Sequence, residues 1–90
     1  MRRTGKVMLK MTRSVSGELE VLLLEGKLIE PWTEELRAQV KKSPRIKRLD
    51  LSGVNFIDRR GAALLRRLES SGTEFIGASV FVRGLLDLPD

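Results

Sequence analysis

Three neighbouring charged residues, Asp58, Arg59 and Arg60, are the best candidates for chemistry in this chain. They stand where an apolar strand and a turn give way to a predicted helix, and Asp58 suits the N-cap because its carboxylate accepts free amide hydrogens of the first turn. A helix N-terminus already carries partial positive charge, so each exposed arginine there costs roughly 0.3–1 kcal/mol. Two guanidinium groups beside free amides suit an anion; the alternative is that both arginines are only solvated surface.

The composition disfavours catalysis. The chain contains no histidine, cysteine or tyrosine, so acid–base chemistry would fall to carboxylates or lysines. The carboxylates are scattered: Glu34 and Glu35 suit the first turn of a helix, and Glu18, Glu20 and Glu25 alternate along a strand. No glycine pattern matches a phosphate-binding loop. We therefore predict that the protein is not an enzyme and has neither a metal site nor a cofactor.

Length and hydropathy bound the class of protein. Ninety residues, 41% of them hydrophobic, predict one folded domain over residues 1–90 rather than a disordered chain. A wholly apolar run such as Val21–Leu24 is far too short to span a bilayer. No apolar signal-peptide core follows the basic start of the chain. These features favour a cytoplasmic protein.

The positive charge is concentrated near the N-terminus. Residues 1–17 contain five basic and no acidic residues, whereas residues 18–90 contain 12 of each, which leaves the net charge at +5. A basic leader attracts nucleic acid or anionic lipid. Short charged ends are also common as solvated tails, and we favour that interpretation for residues 1–5, which we expect to be flexible. Because the few aromatic residues are mostly predicted to be buried, binding of nucleic acid is disfavoured.

Apolar periodicity predicts alternating strands and helices. The first strand starts at Val7, a turn occupies Ser14–Gly17, and the pattern of residues 80–86 fits either a strand or a helix that Ser79 caps. The remaining predicted elements are strands at Leu19–Leu24, Ile46–Leu51 and Thr73–Gly77 and helices at Pro31–Lys42 and Asp58–Ser71. Strands linked by helices pair in parallel, and the first two strands form a hairpin. The predicted fold class is α/β, with a small mixed four-stranded sheet and two to three helices.

Several short segments resemble the STAS domain, a family named for sulfate transporters and anti-sigma-factor antagonists. The similarity runs from Val7 to Leu88, and the stretch from Asp50 to Gly61 is its most specific part. The segments that carry it are Leu24–Leu28, Leu49–Val54, Phe56–Asp58, Gly61 and Gly77–Ser79. The resemblance implies a single STAS-like domain with the family's order of strands and helices.

The resemblance also implies a phosphorylation site that this chain lacks. In the bacterial antagonists, two hydroxyl residues stand between the aspartate and the glycine of this motif, and a partner kinase, which is also the anti-sigma factor, phosphorylates the second. Here arginines occupy both places, and Arg60 stands at the acceptor position. We therefore expect no phosphorylation at this site. The residues expected to bind a partner lie in the turn and helix start at 52–61, namely Ser52, Asn55, Asp58, Arg59, Arg60 and Gly61.

Two functions follow as expectations from this resemblance. The first is a non-catalytic protein-interaction module similar to an anti-sigma-factor antagonist, with an anti-sigma-factor kinase as partner. The alternative is a small subunit of a lipid or anion transport system, which would bind a transporter ATPase and meet the membrane only through that partner. Family members usually continue with another strand and helix beyond the region of 80–86, so an uncovered edge would also allow a homodimer.

Overall fold

A computed structural model describes residues 9–86. The predicted beginning of the first strand at Val7, the leader at 1–5 and the end of the family similarity at Leu88 lie outside the described residues. Four strands and three helices alternate after an initial hairpin. Their bounds are β1 Leu9–Ser16, β2 Leu19–Leu28, α1 Trp32–Lys42, β3 Ile46–Ile57, α2 Arg59–Ser70, β4 Glu74–Ile76 and α3 Val80–Leu86.

The four described strands form one sheet in the order β1-β2-β3-β4. The hairpin strands pair antiparallel, with Met11 opposite Leu24. The two later pairs are parallel, with Leu22 opposite Leu49 and Leu49 opposite Phe75. Helices α1 and α2 supply the crossovers that parallel neighbours require. This arrangement confirms the predicted α/β fold with a mixed four-stranded sheet.

The core lies between the sheet and the helices. Leu22 and Leu24 on β2 and Leu49 and Leu51 on β3 are almost completely buried, and each pair is separated by one less-buried residue, as the pleat of a strand requires. The helices supply the other side of the core, and α2 contacts both α1 and α3. Their buried aliphatic side chains are Leu36, Ala62, Leu64, Leu65, Val82 and Leu86.

The residue types at the helix ends match the helix dipole and the backbone conformation required there. Glu34 and Glu35 lie in the first turn of α1, and Lys41 and Lys42 lie in its last turn, as expected from the helix dipole. Gly72 ends α2 with a φ of +106°, a value that glycine adopts without strain. Residues 80–86, whose pattern fits either a strand or a helix, form the helix α3.

Two predicted turns are wrong. Residues Ser14 to Ser16 belong to β1, and the chain reverses at Gly17, where φ is +65°. More importantly, β3 does not end at Leu51 but continues to Ile57. Gly53 looks like a turn residue, yet a Cβ there would lie 3.0 Å from the Leu24 carbonyl oxygen, so its role is to let β2 approach closely.

No described helix is both long enough and apolar enough to cross a membrane.

Candidate functional site: the tip of helix α2

Asp58 builds the beginning of α2. Its backbone is extended, with φ −86° and ψ −179°, and its Oδ1 accepts a hydrogen bond from the Gly61 N–H at 2.7 Å. This is the N-cap geometry that the sequence predicted. The second carboxylate oxygen, Oδ2, accepts from the Glu30 N–H at 3.2 Å. One side chain therefore joins the start of α2 to the connection that leads into α1.

Gly61 allows this helix start to lie against the sheet. It is buried, and a Cβ at this position would lie 2.5 Å from the Leu28 carbonyl oxygen and 3.0 Å from Ile57 Cγ2. The Asp58 N–H donates to the same Leu28 carbonyl at 3.1 Å. Because the first atom in the way is backbone, a larger residue would displace the helix start from β2.

Arg59 and Arg60 are exposed at this start. The Arg60 side chain is 75% exposed, and its Nη1 lies 3.7 Å from Oε2 of Glu30, too far for a hydrogen bond. A loose surface pair of this kind contributes little stability. The first turn of α2 contains no acidic residue. The two guanidinium groups therefore add their charge to the positive end of the helix dipole.

We call the segment Asp58–Gly61 the α2 tip. Within it, the aspartate and the glycine hold the backbone, and the two arginines project from the surface. This division of roles lets the arginines change without loss of the helix start. Partner contact by Asp58 or Gly61 remains a prediction, and the structure gives both residues a structural role.

The other two predicted binding residues lie along β3 rather than in a turn. Asn55 is exposed three residues before Asp58, and Ser52 is exposed six residues before it. Because a strand rises about 3.3 Å per residue, Ser52 is roughly 20 Å from the tip. Its N–H donates to Asp50 Oδ1 at 2.9 Å, and it lies against Gly77. The structure therefore separates Ser52 from the tip.

Glu30 belongs to the site, although no sequence pattern marks it as a functional residue. Its amide is bound by Asp58 and its carboxylate faces Arg60, but it lies 28 residues before Asp58 in the chain. The single signal in the sequence is its position between a strand and Pro31, which stands just before the next helix. Glu30 is therefore a second acid in the site, beside Asp58, and it partly neutralises the arginines.

The chemistry that this site offers is electrostatic. Among residues 9–86, no group of three or more His, Cys, Asp or Glu side chains could hold a metal ion. The arginines can instead form charge-assisted hydrogen bonds with carboxylate or phosphate groups presented by a partner.

Two solved structures share this fold. One is the antisigma-factor antagonist STAS domain from Rhodobacter sphaeroides, at 16% sequence identity and a TM-score of 0.62, over 78% of this chain and 87% of that one. The other is the anti-sigma factor antagonist SpoIIAA in its unphosphorylated form, at 22% identity and a TM-score of 0.61, over 88% of this chain and 77% of that one. No family model matches the sequence, and no curated protein gives a significant sequence match.

These similarities define the class of fold. The chain has the STAS-domain fold, as the sequence resemblance predicted. Both neighbours are anti-sigma-factor antagonists.

Proposed function

We propose that this chain is a non-catalytic protein-interaction module that resembles an anti-sigma-factor antagonist and binds a regulatory protein through the α2 tip. The fold shared with two such antagonists supports the class of function. One observation carries the choice of surface: two adjacent arginines are exposed at a helix N-terminus that contains no acid in its first turn. An anionic surface on the partner would remove the electrostatic cost of this arrangement.

The binding does not depend on phosphorylation at the usual position. Position 60 carries a guanidinium group, which has no hydroxyl to accept phosphate and whose charge is opposite to that of a phosphate. The partner therefore meets a permanently cationic tip. We expect carboxylates on the partner to pair with Arg59 and Arg60, and salt to weaken the complex.

The test is a binding titration with two purified candidate partners from the same organism, an anti-sigma-factor kinase and a transporter ATPase. Reversal of both tip charges, Arg59→Glu with Arg60→Glu, should weaken binding of the kinase at least tenfold. The matched control is Lys42→Glu with Arg66→Glu, which makes the same change in net charge at exposed positions outside the tip. It should leave the affinity within about twofold, because only exposed long-range charge changes.

Two further results would separate the alternatives. Binding to the ATPase but not to the kinase would support the transport subunit instead. Failure of both proteins to bind, or equal weakening by the control pair, would overturn the tip as the recognition surface.

Phosphorylation has its own assay. The kinase and ATP should leave the mass of the native chain unchanged. Arg59→Ser with Arg60→Ser, which restores the hydroxyl pair of the family, should gain the mass of one phosphate, and loss of that gain in Arg59→Ser alone would locate the modification at position 60. Phosphate on the native chain at a residue of the tip region would contradict the proposal.

A further inference from the structure

A second feature lies beside the tip, in a groove between α1 and α2. Two adjoining cavities, of about 210 and 350 Å³, follow one another along these helices and share Arg37, Leu64 and Arg67. The first contains Arg60 and so begins at the α2 tip, and the second reaches Ser71 at the other end of α2. At a rise of about 1.5 Å per residue, this path is roughly 17 Å long, which equals three turns of a helix.

The second cavity, which we call the α1–α2 groove, has an apolar floor. Val40 and Leu68 are partly buried against the core, and Leu64 is 5% exposed. Leu64 and Leu68 are four residues apart on one face of α2, and Val40 faces them from α1. Side chains in this arrangement leave an apolar strip between the two helices that an apolar partner surface can cover.

Three cations surround this floor, and no acidic residue lines it: Arg37, Lys41 and Arg67. Arg37 Nε lies 3.6 Å from Oε1 of Glu34 across an exposed surface. Within residues 9–86, Lys41 and Arg67 have no ion pair. The groove therefore presents two cations that no acid of the described chain neutralises.

The helix dipole accounts for part of this charge. Lys41 and Arg67 lie in the last turns of their helices, where cations are favourable. Each helix end contributes only about half an elementary negative charge, however, so three full positive charges exceed it. The dipole also gives no reason for the cations to line a strip of partly buried aliphatic side chains.

We propose that the α1–α2 groove is a second docking surface, which takes an acidic amphipathic helix of a protein partner. Aliphatic residues of that helix would cover Val40, Leu64 and Leu68, and its carboxylates would pair with Arg37, Lys41 and Arg67. A free phosphate or small anion would leave the apolar floor uncovered. On α2 the groove runs from Leu64 to Ser71, so a helical segment of about two turns matches both its length and its combination of apolar and positive surface.

The proposal rests on other residues than the α2 tip, so the two can fail separately. The probe is a fluorescein-labelled 18-residue peptide with leucines at helical spacing and glutamates on both flanks. The full chain is titrated with it and followed by anisotropy and by methyl NMR. We expect saturable binding, with the largest shifts at the methyl groups of Val40, Leu64 and Leu68. A peptide with lysines in place of the glutamates should not bind.

The variant Lys41→Glu with Arg67→Glu should weaken binding of the acidic peptide at least tenfold. Its matched control is again Lys42→Glu with Arg66→Glu, since these residues are the sequence neighbours, are exposed, and do not line the groove. The control should stay within about twofold of the native affinity. Circular dichroism establishes that both variants fold.

The proposal would be overturned if the acidic peptide did not bind, or if the methyl shifts lay away from the groove. Equal weakening by the control pair would also overturn it. Loss of binding in Arg59→Glu with Arg60→Glu would do the same, because it would place the contact at the tip. Binding of phosphatidylglycerol vesicles or dodecanoate at the same methyl groups, without binding of the peptide, would assign the groove to an anionic lipid instead.

Discussion

The starts of α1 and α2 lie beside each other and are built in opposite ways. Helix α1 follows Pro31 and has no side-chain cap, but Glu34 and Glu35 complement the dipole in its first turn. Helix α2 has a strong cap in Asp58, yet Arg59 and Arg60 follow it and no acid is present in its first turn. The α1 start has complementary charges and backbone hydrogen bonds but no side-chain cap, whereas the α2 start has a side-chain cap and close packing against β2.

This contrast agrees with the proposed division of α2 into residues for stability and residues for recognition. At α2, Asp58 and Gly61 hold the helix start in place, and the position of the arginines opposes the dipole, so we expect folding not to depend on them. A surface that is electrostatically unfavourable in the free protein has something to gain from an anionic partner. The predictions that follow test this division, from the largest expected effect to the smallest.

Gly61→Val should reduce the free energy of unfolding by about 3 kcal/mol, because the new side chain meets the Leu28 backbone. Urea denaturation measures the change. Gly84→Val is the control: apart from its chain neighbours and the backbone of its own helix, nothing lies within 4 Å of a Cβ added to that glycine, so the stability should change by at most about 0.5 kcal/mol. Equal losses in the two variants would show that Gly61 is not a packing constraint.

Asp58→Ala should cost about 2 kcal/mol, since it removes the cap and the hydrogen bond to the Glu30 amide together. Asp58→Asn should retain most of the stability, because asparagine also caps helices well. Ser79→Ala offers a comparison at α3, where Ser79 Oγ accepts only from the Val82 N–H, and about 1 kcal/mol is expected. A loss at Asp58 no larger than at Ser79 would mean that the link to Glu30 adds nothing.

Glu34→Gln with Glu35→Gln should lower the free energy of unfolding by about 0.5–1 kcal/mol at low salt, because α1 loses the charges that complement its dipole. The same titration in 1 M salt should show a smaller difference, since the Debye length falls to about 3 Å. A salt-independent loss would indicate packing rather than charge.

Arg59→Ser with Arg60→Ser should leave the stability unchanged or raise it by a few tenths of a kcal/mol, the opposite direction to the change at α1. Loss of the weak pair between Arg60 and Glu30 offsets part of the gain. The change is read from the same urea midpoints, with thermal melts as a second measure. A loss of several kcal/mol would show that the arginines are structural and would weaken the proposed function.

The sequence predicted the parts of the fold that depend on local chemistry. The Asp58 cap and the acids in the first turn of α1 depend on residues within one turn, and the structure confirms both. Ser79 likewise decides between strand and helix for the last element. Its hydroxyl accepts a hydrogen bond from the Val82 N–H, and this bond favours the helix although the β-branched residues that follow favour a strand.

The errors arise where a neighbouring strand determines the conformation. Ser52 and Gly53 have turn composition, but β2 pairs with β3 past this point, and the pairing register shifts between Leu23 and Glu25, the residue opposite Gly53. Nothing within a few residues of Gly53 reveals that contact. As a result, the sequence placed Ser52 in the binding turn, and the structure moves it along the strand.

The candidate site also contains a part that local sequence predicts and a part that depends on distant residues. The α2 tip could be predicted because its cap, arginines and glycine are contiguous. Glu30 and the α1–α2 groove could not, because each joins residues about 30 positions apart in the chain. Arg37 and Arg67 become neighbours only when two helices pack on one sheet.

The two hydrogen bonds accepted by the Asp58 carboxylate also bear on how quickly a partner can dock. One of these bonds holds the first turn of α2 and the other joins it to the connection that leads into α1, so the backbone of the tip is already ordered before any encounter. A partner then loses little conformational entropy from this side of the complex, and long-range attraction between opposite charges can guide the approach. Association should accordingly be fast and strongly dependent on ionic strength, while the lifetime of the complex is decided by the contacts made afterwards.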